Sequence, residues 1–413
     1  MNRRDFLKVP AAAAFPYIAR PTVLGANDRV TLGFIGVGNR ARWMLKNEDF
    51  GFGRVVAMAD IWPQSFAETI KVRPDASSWT QYNDYRRMFD KEKLDAVFVE
   101  TPTHPRVLTS IHALQAGLDV YAEKPLTLTM EEGRVLTKFV RRYNRVLQTG
   151  TQQRSMPINR YANSLVSGGK IGKIKEVIAC NFLAPRRWQP LPEQPVPEGL
   201  DWDKWCDQAE LRPYHSELHR GWSKWWDYDG GGQSWGVTGW GTHSLDQVQA
   251  ALGTDDTGPV EMWPEEPGPE GRVTMRYSNG TLLKLEQPII KDHQQLGAIF
   301  VGTKGRIQII RGDFHPDPPE LKKGAPDVLP EGPGEVTPHI SNFIECVKSR
   351  KRPTADVEIA HRATTVCHLV NITRELGRKL RWDPKAERFR DDEEANALLS
   401  RPRRKGYELP NPG

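Results

Sequence analysis

Arg29-Val30-Thr31-Leu32-Gly33-Phe34-Ile35-Gly36-Val37-Gly38-Asn39-Arg40-Ala41-Arg42 is the stretch from which the rest of the chain is read. Residues 30–35 form an apolar run of strand length. The run stops at a Gly-x-Gly-x-x-Ala turn, Gly36 to Ala41, and a helical pattern follows. Gly36 permits a tight turn, Gly38 lets the backbone approach a pyrophosphate, and Ala41 is small enough for the helix to pack on the strand. Phosphates would then meet the free N–H groups of the helix N-terminus. A glycine triplet is also an ordinary strand-to-helix turn, so context decides. Residues 54–60 supply it: a second apolar strand that ends in Asp60, about 20 residues on, where a dinucleotide fold places the acid for the ribose hydroxyls. That carboxylate would repel a 2′-phosphate, which favours NAD over NADP. A helix cap is the alternative role for Asp60.

Strands and helices keep alternating to about residue 151. Residues 94–100 and 119–123 read as strands, 104–116 as a helix stopped by Gly117, and 145–150 as one more strand. Thr129-Met130-Glu131-Glu132 is a capping box that opens a helix to about Arg142. Such alternation implies a doubly wound, mostly parallel sheet with ligands at the carboxyl ends of its strands. The candidate cofactor-binding residues sit at those ends: Gly36, Gly38, Asn39 and Arg40 of the turn, then Asp60, then Thr101, Pro102 and His104, then Glu123 and Lys124, and finally Gln152.

Before this domain, Arg3 and Arg4 precede an apolar stretch at 9–19 and a small-residue cleavage site, Gly25-Ala26. This reads as a twin-arginine export signal, too short and too proline-interrupted for a membrane span. It predicts a periplasmic or otherwise extracytoplasmic protein that folds, and takes up a cofactor, before export. The formal net charge of +6 is inflated by that signal, which carries Arg3, Arg4, Lys8 and Arg20 against Asp5. No long basic run lies outside the tail, so nucleic acid is a poor partner. Cys180, Cys206, Cys346 and Cys367 show no metal-type spacing and read as buried free thiols.

The glycine turn, Thr101-Pro102-x-His104 and above all Glu123-Lys124-Pro125 resemble the glucose–fructose oxidoreductase/inositol dehydrogenase/MocA (Gfo/Idh/MocA) family, from about residue 29 to the C-terminus. The resemblance implies that Lys124 lies beside the nicotinamide and a substrate hydroxyl. It also implies an open, mainly antiparallel second-domain sheet that often forms the oligomer contact. In Gly241-x-His243-x-x-Asp246 it implies that His243 binds the substrate hydroxyl. The residues themselves agree about Lys124: a partly desolvated lysine at the ligand edge of a sheet has a lowered pKa and can move a hydroxyl proton. Asp246, one helical turn on, either orients His243 or caps. One departure matters. Many members carry an acid four residues before this histidine, and here that position is Gly239.

The second domain is rich in Trp, Pro and Gly between 186 and 240, and nine of the thirteen tryptophans lie between Trp188 and Trp263. Their faces suit sugar C–H groups, although most should pack loops, with two or three touching ligand. Ser278-Asn279-Gly280 and Thr303-Lys304-Gly305 mark two hairpins. Residues 313–338 read as a loop, 337–349 and 356–376 as helices, and the charged tail as a solvated arm or a contact to a neighbouring subunit.

The expected organisation is a signal at 1–26, an NAD-binding Rossmann domain at 27–150, a substrate-binding α+β domain at 151–382 and a charged tail at 383–413. The expected activity is NAD-dependent oxidation of a sugar or glycoside hydroxyl, with Lys124 and His243 handling the proton, in a homo-oligomer joined through the second-domain sheet. Two rivals remain: a redox-neutral glycoside hydrolase that oxidises, eliminates and re-reduces, and a sugar- and NAD-binding protein without activity.

Overall fold

The computed structural model describes residues 29–288, 296–328 and 331–412; the twin-arginine stretch lies outside them. The first domain contains strands β1 (Val30–Ile35), β2 (Gly53–Ala59), β3 (Thr80–Tyr82), β4 (Ala96–Val99), β5 (Asp119–Ala122) and β6 (Leu147–Thr149). Between them run helices α1 (Asn39–Asn47), α2 (Pro63–Val72), α3 (Tyr85–Lys91), α4 (Thr103–Gln115) and α5 (Met130–Arg142). All six strands are parallel, in the order β3-β2-β1-β4-β5-β6. The winding reverses between β1 and β4, and a doubly wound sheet binds its ligand at that point. Helix α5 opens with the capping box expected for it, Thr129 and Glu132 satisfying each other's backbone N–H groups, an arrangement worth about 1 kcal/mol.

The second domain adds α6 (Pro157–Ser167), β7 (Ile174–Cys180), α7 (Trp202–Cys206), α8 (Ser216–Arg220) and α9 (Trp240–Leu252). Strands β8 (Glu261–Pro264), β9 (Val273–Arg276), β10 (Leu282–Gln287), β11 (Ala298–Gly302), β12 (Arg306–Ile310) and β13 (Asp313–Asp317) follow. The chain closes with α10 (Thr337–Ser349), α11 (Val357–Leu376), β14 (Leu380–Asp383), β15 (Arg388–Phe389) and α12 (Glu393–Ala397). The nine-stranded sheet runs β13-β12-β11-β7-β10-β9-β8-β14-β15, and only the β7–β10 pair is parallel. Both expected hairpins, β9–β10 and β11–β12, are present.

Three expectations need correcting. Residues 313–317 are not loop but an edge strand paired with β12. Pro316 and Pro318 hide it in the sequence, because proline is tolerated on an edge where no ladder bond is needed. Helix α10 returns to the first domain, where Phe343 stands edge-on to Phe98 and Tyr121 of the nucleotide sheet. Burial of a ring of this kind contributes about 1.5–3 kcal/mol. The charged tail is not a solvated arm. Arg401 donates to the Trp226 carbonyl, Arg403 pairs with buried Glu132 of α5, and Arg404 bonds Asp203 at 2.7 Å. The tail thus fastens one domain to the other. Helix α11 is buried on nearly all sides because it lies between α5 of the first domain and α9 of the second. All four cysteines are buried and free, and no helix among the described residues is long and apolar enough to cross a membrane.

Candidate active site

At the switch point Gly36 has φ +80, and a side chain there would press on the Thr101 backbone 3.0 Å away. This contact lets β1 and β4 end side by side. Gly38 caps α1 with no side-chain hydrogen bond, and nothing lies within 4 Å of where its Cβ would be. The first turn of α1 therefore keeps its N–H groups free beside open space. Asn39 starts that turn at the surface, its Oδ1 accepting from Arg42 at 2.7 Å. The carboxylate of Asp60 lies at the mouth of the turn and accepts from the Val37 and Trp62 amides, both at 2.9 Å. Burial raises its pKa while those bonds oppose the shift.

Arg40 reaches across the turn to Glu123, Nε to Oε1 at 2.7 Å. The other oxygen of Glu123 accepts from the Lys124 amide at 2.9 Å. Burial pushes this carboxyl up, but the charges of Arg40 and Lys124 outweigh it and hold it below its ordinary range. Beside it, both oxygens of Glu100 are enclosed without a partner, and burial plus the Glu123 charge drive its pKa well up.

The Lys124 side chain crosses between the domains and donates to the Gly239 carbonyl at 3.1 Å. Burial brings its pKa down to about 8 against the opposing charges of Glu123 and Asp229. Gly239 is the N-cap of α9, and His243 stands one turn into that helix, 4% exposed. The His243 Nδ1 is enclosed without a hydrogen-bond partner. Burial, then the charges of Arg311 and Lys124, hold this imidazole well below its usual pKa. A lysine whose pKa burial lowers to about 8, near an imidazole whose charged form burial disfavours, has the chemistry to move a hydroxyl proton.

The missing acid cannot simply be restored, because a Cβ on Gly239 would collide with the Gln233 carbonyl. A different carboxylate is close by. Asp229 is wholly buried and accepts from Thr103 Oγ1 at 2.5 Å, from the Thr238 hydroxyl and from the Gly230 amide at 2.6 Å. It ties the start of α4 to the residue before Gly239.

Other candidates are placed differently. Thr101 and Pro102 lie at the end of β4, the Thr101 hydroxyl donating to the Pro102 carbonyl at 3.0 Å. Gln152 follows β6, buried, with Oε1 unpartnered among the described residues. His104 is buried in α4. Its Nε2 meets the Trp205 carbonyl at 2.7 Å, its ring packs between Trp205 and Tyr228, and burial lowers its pKa to about 3. The cofactor-binding expectation for His104 is therefore corrected to domain packing. Asp246 neither orients His243 nor caps α9: it is held by Arg154 at 2.8 Å. Most tryptophans pack one another, Trp202 stacking on Trp205 at 4.4 Å and Trp188 meeting Trp225 edge-on. Trp235 and Trp240 pair at 4.2 Å next to Gly239.

Residues 30–151 match the oxidoreductase family, NAD-binding Rossmann fold, and residues 183–409 match its C-terminal alpha/beta domain. The chain belongs to the Gfo/Idh/MocA oxidoreductase family. Among its curated relatives, Oxidoreductase P35 of Formosa agariphila is 25% identical over 180 residues, 40% of this chain and 54% of the relative. A glycosyl hydrolase family 109 protein of Shewanella pealeana is 27% identical over 160 residues, 32% of this chain and 35% of the relative. The matches thus span about half or less of these two relatives. Among solved structures, the WlbA dehydrogenase of Bordetella pertussis, in complex with NADH and UDP-GlcNAcA, superposes with a TM-score of 0.59 at 16% identity, covering 86% of this chain and 99% of that one. That likeness shows the fold.

NAD is the cofactor of this Gfo/Idh/MocA Rossmann domain, and the residues present fit it. The uncapped α1 N-terminus beside Gly38 suits a pyrophosphate. Asp60 suits a ribose, and Lys124 sits at the end of β5 on the domain boundary. Sequence reasoning missed Asp229, Glu100 and Arg311. Only the aspartate left a signal, as the residue just before Gly230-Gly231-Gly232.

Proposed function

We propose that this protein is an exported NAD-dependent oxidoreductase that acts on a hydroxyl of a sugar or glycoside. The observation that carries the reading is the bond from Lys124 to the N-cap of the helix that holds His243. It ties a proton-transfer group of the cofactor domain to a hydrogen-bonding group of the second domain across one cleft. In its neutral form Lys124 accepts the proton of a substrate hydroxyl and, once charged, returns it. His243, kept neutral by burial, offers a ring nitrogen to the same hydroxyl and fixes its direction. Bound NAD supplies the hydride acceptor. Asp60 next to the ribose position supports NAD over NADP by repelling a 2′-phosphate. The outer face of the nine-stranded sheet is the surface we assign to self-association.

The test is to purify the mature protein, denature it and measure released nicotinamide, then screen sugars and aryl glycosides for NADH formation. Nicotinamide in the protein and NADH formed with a sugar support the reading. Absence of both rejects it. A second reading, redox-neutral glycoside cleavage with NAD recycled in place, draws support from Gly239 in the place of the family acid and from relatives named glycosyl hydrolase family 109. Aglycone release over many turnovers with no added NAD and no net NADH selects it.

A further inference from the structure

We infer that the substrate of this site carries a carboxylate, and that Arg311 on the second-domain wall of the cleft holds it. The inference rests on the oxidoreductase reading and names its substrate class. Arg311 follows β12 at the turn into β13. Its side chain is only 12% exposed, and its Nε is fully enclosed without a partner. The acid nearest to it, Glu335, stands 3.6 Å from Nη1, beyond hydrogen-bond distance. Glu331 also faces it from the same loop. Two other buried arginines of this domain are served better: Arg154 takes Asp246 and Asp255 at 2.8 Å, and Arg374 takes the Gly271 and Phe182 carbonyls and Asn181. A buried guanidinium donor left open is costly unless a ligand completes it.

Its position says which ligand. The Ser244 hydroxyl, next to His243, donates to the Gly297 carbonyl, and Gly297 lies against the Ile309 carbonyl at the end of β12. Arg311 is therefore close behind the start of α9. After burial, its charge is the largest influence on His243, and Lys124 feels it too. Arg40, Lys124 and Arg311 converge on a cleft where Glu123 is already paired with Arg40. Asp229 is engaged by two threonine hydroxyls and an amide. Arg311 thus stands on the His243 side of the site with its Nε unpartnered. A planar guanidinium in a low-dielectric site matches a carboxylate in geometry and charge. A ring carboxylate of an acidic sugar supplies that partner.

The experiment titrates methyl β-D-glucuronide, methyl β-D-galacturonide and methyl β-D-glucoside into the NAD-loaded protein by calorimetry, and NAD into the stripped protein. Wild type, Arg311→Gln and Arg311→Lys are compared, each checked for an unchanged melting curve. At least one uronide should bind wild type about 10- to 100-fold more tightly than the neutral glycoside. Arg311→Gln should abolish that preference and leave NAD affinity alone, while Arg311→Lys should retain part of it. If wild type shows no preference for either uronide, the inference fails, even where Arg311→Gln does not fold. A loss of NAD affinity with the uronide preference intact also overturns it and assigns the arginine to the cofactor phosphates. A uronide preference in a protein that oxidises no sugar would instead overturn the oxidoreductase reading.

Discussion

The Lys124 ammonium donates to the backbone carbonyl of Gly239, 3.1 Å away, at the foot of the helix that bears His243. A charged lysine is thus held by a neutral backbone acceptor. With burial lowering its pKa to about 8, the neutral form gains as pH rises through that value. The oxidative kcat/KM should therefore climb with pH and level off above about 8. Lys124→Ala should lower turnover by roughly 10²- to 10⁴-fold with an unchanged melting temperature. A flat pH profile, or less than a tenfold loss, would remove Lys124 from proton transfer.

Gly239→Asp should not rescue or improve activity. The new side chain meets the Gln233 carbonyl, and overpacking of this kind costs about 1–3 kcal/mol. Calorimetry should show a lower melting temperature together with reduced turnover. A variant as stable and more active than wild type would show that the backbone yields there.

Asp229 acts on Lys124 through its charge, which raises the lysine pKa. Asp229→Asn removes that charge, so the midpoint of the pH–rate profile should move to lower pH. A residue that only held the glycine-rich loop would change stability and leave the midpoint in place. The pH–rate profile and the melting curve, measured together, separate the two.

Asp60→Ala should weaken NAD by about 10- to 100-fold and narrow the preference over NADP. It removes an acceptor for the ribose, the repulsion of a 2′-phosphate and the brace on the Val37 amide. Fluorescence titration with both cofactors measures this, and an unchanged ratio would place the ribose elsewhere.

Arg403→Ala leaves the Glu132 carboxylate, 1% exposed, without its cation. The Leu128 amide and Gln208 still serve it. The expected loss is about 3 kcal/mol, read by denaturant unfolding. Adding Glu132→Gln should recover much of it.

The first domain was legible because its signals are local. A glycine that needs positive φ, an acid at a strand end and a capping box each announce themselves within a few residues, and β1, β2 and α5 follow from them. Asp229 was not legible, since its partner Thr103 lies 126 residues earlier and nothing in either sequence neighbourhood names the other. Arg311 is one of many arginines until burial sets it apart. His104 shares a motif with true strand-end residues, yet helix α4 turns its ring toward Trp205. Residues 313–317 failed for the opposite reason: their prolines are a correct local signal, overridden by an edge position that tolerates them.

Glu132 and Arg403 are 271 residues apart. At roughly 5–20 residues per second of synthesis, the acid leaves the ribosome roughly 15 to 50 s before the arginine that fastens it. Over most of that interval the seam is still open at this point, and only the arriving tail closes it.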